Sequence, residues 1–232
     1  MKKRVFFLFS LLILAVLALP EAQQLFNIDC GNDLMSYAAG GAAFAPLKWN
    51  LGQNNMGGYK PRLLFIPAEA VSAIPTLPVP EEATDNRDLV TAKGAFTFVT
   101  GGAIKQPIYL YSTDGEVEYK AESQGEKDGI SYLQTLAFFF PGNMPEMHAF
   151  SALVKNTPGY YVIEDVDGRQ VMVGQDGLMA STSPSFNGGK GRADRRGTTY
   201  TITADSNYSA IFLGTPIDMA AIGGYKPSEP TE

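Results

Sequence analysis

Few residues in this chain have the type and spacing to do chemistry. Gly188-Gly189-Lys190-Gly191 has the glycines and the lysine of a phosphate-gripping loop. Such a loop needs Ser or Thr directly after the lysine to hold magnesium, and then a helix. Here Gly191-Arg192 follows and then a predicted strand, so the motif fails. Glu164-Asp165-Val166-Asp167-Gly168 contains a D-x-D. It lacks the later ligands of a calcium loop, and acids at a hairpin tip are ordinary turn residues. No G-x-S-x-G occurs, so there is no hydrolase nucleophile elbow. The one histidine, His148, lies beside Phe150 in a predicted helix with no base nearby and reads as structural or surface. The one cysteine, Cys30, excludes an internal disulfide and a cysteine-rich zinc site. Glycoside hydrolysis needs two acids that meet in space, and no spacing recommends a pair. No catalytic residue, metal or cofactor is expected.

Charge patterning says more. The chain has 18 Lys and Arg against 24 Asp and Glu, a net of −6, which argues against a general nucleic-acid binder. Lys190, Arg192, Arg195 and Arg196 stand against Asp194 alone, a local net of +3. Residues 114–128 hold six acids, Asp114, Glu116 and Glu118 among them, against Lys120 and Lys127, a net of −4. Residues 81–88 have a net of −3. The expectation is a molecule with two electrical faces, whose copies meet basic loop to acidic stretch in a head-to-tail assembly. The subunit-contact candidates are Lys190, Arg192, Arg195, Arg196, Asp114, Glu116 and Glu118.

The elements that must position these charges are mostly strands. The chain has 24 Gly, 15 Pro, 11 Tyr and 14 Phe in 232 residues, a mix that favours strands and turns. Apolar residues make up 45%, enough for one core. Strands are predicted at residues 63–67, 95–99, 108–111, 116–119, 133–140, 160–164, 170–173, 198–204 and 210–213. Asp114-Gly115 and Asp167-Gly168 each predict a hairpin between β-rich runs. One helix is predicted, with Asn143 or Met144 before it and Pro145 in its first position. Met147, Phe150, Leu153 and Val154 form its apolar face, and Asn156-Thr157-Pro158-Gly159 stops it. Residues 183–197 read as a long loop. The fold class is therefore mainly β, a sandwich or barrel crossed by one short helix.

The expected domains are a signal-like segment 1–24, a loose Gly/Ala/Asn-rich lead-in 25–58, a β-rich domain 59–222 and a flexible tail 223–232. Lys2-Lys3-Arg4, an apolar run over residues 5–19 and Pro20 follow the pattern of a secretory signal. The run is short for a membrane span, which needs about 20 residues, so no stable span is expected after processing. The cleavage signal is poor, with Ala22 before the cut and Pro20 at the second small-residue position. The other reading of this start is an over-extended one, with Met35 or Met56 as the true first residue. Gly57-Gly58-Tyr59-Lys60-Pro61 recurs at residues 223–227; chance in a Gly- and Tyr-rich chain accounts for it.

From Gly57 to Ile222 the order of elements resembles the tail tube proteins of bacteriophages and related contractile injection systems. Gly58-Tyr59-Lys60-Pro61-Arg62-Leu63-Leu64-Phe65-Ile66-Pro67 and Val71-Ser72-Ala73-Ile74-Pro75 resemble the family's opening strand and loop. Tyr132-Leu133-Gln134-Thr135-Leu136-Ala137-Phe138 resembles the long strand before its single helix. Leu153-Val154-Lys155-Asn156, Tyr161-Val162-Ile163-Glu164-Asp165 and Asp167-Gly168-Arg169 resemble the helix end and the hairpin after it. Val173-Gly174, Gly177-Leu178 and Thr198-Thr199-Tyr200-Thr201-Ile202 resemble its closing part. The resemblance implies a ring-forming homo-oligomer such as a hexamer, stacked into a tube, with other tail proteins as partners. It implies no catalytic residues and no specific nucleic-acid binding. The location is then a virion tail or a cytoplasmic assembly, with the start misassigned. The alternative is an exported β-sandwich that binds or adheres at the bacterial envelope, in the periplasm or outside the cell.

Overall fold

Two stretches of the chain, Leu63-Leu64-Phe65-Ile66 and Tyr160-Tyr161-Val162-Ile163, have no polar alternation. A strand of that kind must be covered on both faces. The computed structural model describes residues 47, 51, 55–79 and 83–222. The signal-like segment, Cys30, most of the lead-in and the tail lie outside the described residues. In chain order the elements are β1 (Tyr59–Pro67), β2 (Val71–Ala73), β3 (Thr91–Ala92), β4 (Thr97–Phe98), β5 (Ile108–Tyr111), β6 (Glu118–Gln124), β7 (Ser131–Pro141), α1 (Pro145–Val154), β8 (Gly159–Asp165), β9 (Gln170–Val173), β10 (Ser181–Asn187), β11 (Gly197–Ser206) and β12 (Ile211–Leu213). The chain is mainly β, a sandwich with one short helix. A six-stranded sheet runs β3-β12-β9-β8-β1-β5, a four-stranded sheet runs β10-β11-β7-β6, and β2 with β4 makes a small ribbon.

The two bare apolar runs become β1 and β8, which pair antiparallel at the heart of the larger sheet. One face carries Leu63, Phe65, Tyr161 and Ile163 into the space between the sheets, where Leu136, Phe138, Tyr200 and Ile202 meet them. The other face carries Leu64, Ile66, Tyr160 and Val162, joined by Met172 and Ile211. Ile74, Leu77, Phe96, Phe98, Ile217 and Ile222, from loops and the β2–β4 ribbon, pack over that second face. The Pro-rich stretch after β2 thus serves as a lid on a second core.

The two Asp-Gly signals end differently. Residues 165–168 turn β8 into β9 as expected, with Gly168 at φ 87° and the Asp165 carboxylate accepting the Arg169 N–H at 2.7 Å. Asp114-Gly115 does not make a hairpin, because β5 belongs to the six-stranded sheet and β6 to the four-stranded one. The Ser112 N–H donates to Pro61 at 3.2 Å and the next N–H, of Thr113, donates to Phe139 at 3.0 Å. Consecutive donors on opposite layers turn the segment into a corner. A turn signal fixes where the chain reverses, not which strand it joins.

Residues 183–197 are not one long loop either. Residues 181–187 form β10, paired throughout with β11, and only 188–196 are loop. Pro184 sits in an edge strand, where a missing donor is tolerated. Helix α1 starts at Pro145 with Met144 before it and no side-chain cap. Met147 and Val154 are buried, and Phe150 meets Phe65 and Tyr200 edge-on at 6.1 and 5.7 Å. Leu153 departs from the expected face and is 71% exposed. At 3.6 residues per turn it stands about 120° round from Met147.

Gly159, opposite Pro67, leaves no room for a side chain between β8 and β1. A Cβ there would lie 2.5 Å from the Ile66 carbonyl oxygen and 2.5 Å from the Phe65 ring. Gly159→Ala is expected to cost about 1–3 kcal/mol by overpacking. A urea titration checks this; the midpoint falls while the slope is unchanged.

Candidate functional site

The four-stranded sheet has one buried and one hydrated face. Burial alternates along β11, so Thr199, Thr201, Thr203 and Asp205 point away from the core. The register sets Ser183 beside Thr201 and Ser181 beside Thr203, then Thr203 beside Thr135 and Thr135 beside Lys120. Glu118 and Glu122 continue that face along β6. The result is a plane of small hydroxyls with an anionic border, bounded by β6 and β10, each of which has a strand partner on one side only among the described residues. Gln124 spans the face, its amide donating to the Asp205 carboxylate at 2.6 Å.

The predicted contact residues gather at one end of this sheet. The basic loop 188–196 folds on its own acid, because the Asp194 carboxylate accepts the N–H groups of Gly191 at 2.7 Å and Lys190 at 2.8 Å. Those two donors hold the Asp194 carboxyl below the usual range. The loop's one negative charge is thereby used internally, and Lys190, Arg192 and Arg196 are exposed. Arg195 turns back to the sheet. Its guanidinium lies 3.5 Å from the centre of the Phe139 ring and donates to the Glu116 carboxylate at 2.6 Å. Glu118 pairs with Lys120 on its own strand at 2.9 Å, and Asp114 is exposed at the corner. The expectation of two separate electrical faces fails for this pair, since acidic corner and basic loop meet within one chain. The cause is the corner at residues 112–117, which brings Glu116 to the end of β7 beside the loop.

The remaining candidates have structural partners. His148 shares a 2.7 Å hydrogen bond with Asn143 and stands edge-on to Phe186 at 4.8 Å. Among the described residues no three of His, Cys, Asp and Glu come together. Glu164, the first acid of the D-x-D stretch, is 8% exposed. It accepts from Lys60 at 2.6 Å and from Arg62 at 2.6 and 3.0 Å, tying β8 to β1. Burial pushes its pKa up, but the hydrogen bonds and charges of Lys60 and Arg62 outweigh that and hold it below the usual carboxylate range. The hydroxyl face was not singled out from sequence. Its signal was present in Thr199, Thr201 and Thr203, but its β10 half, Ser-Thr-Ser-Pro-Ser, reads locally as loop.

No protein-family model matches this chain. Searches of curated proteins and of solved structures give no significant match. No helix among the described residues is long and apolar enough to cross a membrane.

Glu164→Gln is expected to cost about 1–3 kcal/mol. The loss stays below that of a fully buried pair because Lys60 and Arg62 keep 34% and 30% of their side-chain surface in water. A carboxylate with a lowered pKa stabilises the fold above its unfolded value, and that contribution disappears as pH falls through the folded value. The gap between wild type and variant, measured by denaturant midpoints, should therefore narrow from about pH 7 toward pH 3.

Proposed function

We propose that this chain is a structural subunit that assembles with copies of itself into rings, stacked as the tube of a phage tail or injection-system-like particle, and that it carries out no catalysis. The observation that carries the reading is the four-stranded sheet with an exposed face and, among the described residues, an unpaired edge at each side. An edge strand offers a row of backbone donors and acceptors to any chain that can pair with it. Pairing β6 of one copy with β10 of the next is a heterologous contact, and such contacts close into rings when the rotation fits. The hydroxyl face would then line a bore. With Glu118, Glu122 and Asp205 on it and Lys120 paired to Glu118, that wall keeps a net negative charge that repels phosphate and lets a nucleic acid pass without sticking. The exposed cations Lys190, Arg192 and Arg196 at one end of the sheet are free to meet Asp114 of another copy. The element order that resembles tail tube proteins supports the same reading.

The basic and apolar start favours a second reading, an exported β-sandwich that binds or adheres at the bacterial envelope. A mature terminus near residue 23, recovered from the periplasm or the medium, would support it.

Sedimentation velocity and negative-stain microscopy of the full chain over rising concentration test the first reading. Rings or tubes are expected, and a monomer at every concentration would refute it. Ser183→Glu with Ser185→Glu sets like charges against Glu118 and Glu122 of the next copy. It should raise the half-assembly concentration at least about tenfold while leaving the circular dichroism spectrum unchanged.

A further inference from the structure

At one end of the larger sheet β12 lies between β3 and β9, and Phe212 pairs with Thr91 on one side and Val171 on the other. An arginine precedes each of those neighbours. Arg87 stands before Thr91, across the short 3-10 turn at Asp88–Val90. Arg169 stands before β9, just past the hairpin tip at Gly168. Both border a cavity of about 590 Å³, whose apolar lining is Val90, Phe212, Leu213 and Pro216. Sites for small molecules are commonly about 300–1,000 Å³ and join apolar walls to a few polar groups.

The polar groups of this lining divide sharply. The Gln170 amide is used at both ends by Ile217, and the Thr91 hydroxyl donates to the Arg87 carbonyl at 2.7 Å. The two guanidinium groups remain. Among the described residues neither forms an ion pair. The neighbouring acids are engaged elsewhere or point away. Asp88 accepts from the Thr84 hydroxyl at 2.8 Å and faces Lys93 at 3.8 Å. Asp165 accepts the Arg169 backbone N–H, and Glu164 is held by Lys60 and Arg62. Asp85 and Asp167 are exposed and pair with neither arginine. In a chain of net charge −6, a cavity whose charged lining is two arginines alone selects an anion. A guanidinium fork matches a carboxylate with two parallel hydrogen bonds. The apolar walls select a body that a bare ion lacks.

We propose that this cavity binds a small organic acid, its carboxylate gripped by Arg87 and Arg169 and its apolar body laid against Phe212 and Pro216. The site lies on the six-stranded sheet, away from the β6 and β10 edges, and does not depend on assembly.

The test is isothermal titration calorimetry of the full chain with phenylacetate, acetate and 2-phenylethanol. Phenylacetate is expected to bind at one site per chain, at least about tenfold more tightly than acetate, which lacks the ring, or 2-phenylethanol, which lacks the charge. Arg87→Gln and Arg169→Gln should each weaken phenylacetate at least about tenfold with the circular dichroism spectrum unchanged, the effect of losing a charged hydrogen bond. Lys105→Gln with Lys155→Gln, exposed lysines outside the cavity lining, should leave the affinity as it was. No saturable heat with phenylacetate up to about 10 mM overturns the proposal. Equal binding of the three probes overturns it too, and that comparison uses the natural chain alone. Affinity unmoved by either arginine change, or lowered equally by the lysine pair, has the same consequence.

Discussion

The fold depends on one constraint: β1 and β8 have no polar face to give to water. Leu63 and Phe65 point one way and Leu64 and Ile66 the other, and all four are essentially buried. A two-layer sandwich covers only one of those faces. The chain therefore spends residues 68–79, 83–98 and 208–222, which form little regular structure, on covering the second. Gln170 helps to hold that cover in place. Its side chain donates to the Ile217 carbonyl at 2.6 Å and accepts the Ile217 N–H at 2.7 Å, so a loop is clamped to β9 through one amide.

The layers are joined by hydroxyls as well as by apolar contact. Tyr161 from β8 shares a 2.6 Å hydrogen bond with Thr182 on β10, and Tyr200 from β11 shares one of 2.8 Å with Ser151 on the helix. Each phenol brings a large apolar ring to the core and satisfies its polar end there. The two sheets and α1 are thus held in one relative placement. That matters for the proposed subunit, whose outer face and edges would have to meet other copies in register.

The fold class, the helix and most strands were legible in the sequence because they rest on local pattern. Pro145 before Met147 and Phe150 marks a helix start, and Asp165 to Gly168 marks a tight turn. Partner choice was not legible. Nothing near Asp114-Gly115 states that Thr113 bonds to Phe139 across the sandwich, because that bond depends on residues far away in the chain. The Ser-rich β10 was hidden for a related reason. Its strand character comes from pairing with β11, not from its own propensities. Of the candidate site, the charges were visible and their meeting was not. Arg195 and Glu116 are 79 positions apart, and only the corner brings them together.

The many phenols have a cost at the far end of the pH scale. Burial raises the pKa of Tyr119 and Tyr161 most, and that of Tyr59, Tyr160 and Tyr200 in the same direction. A group that resists losing its proton in the fold stabilises it fully below the free value and gives that up as alkalinity increases. Among the described residues the acid limit draws on Glu164 between two cations and on Asp88 and Asp194 in surface turns, whereas the basic limit is shared among five rings across both cores. Strong base should accordingly dismantle the interior as a whole, with phenolate absorbance and loss of packing arriving together.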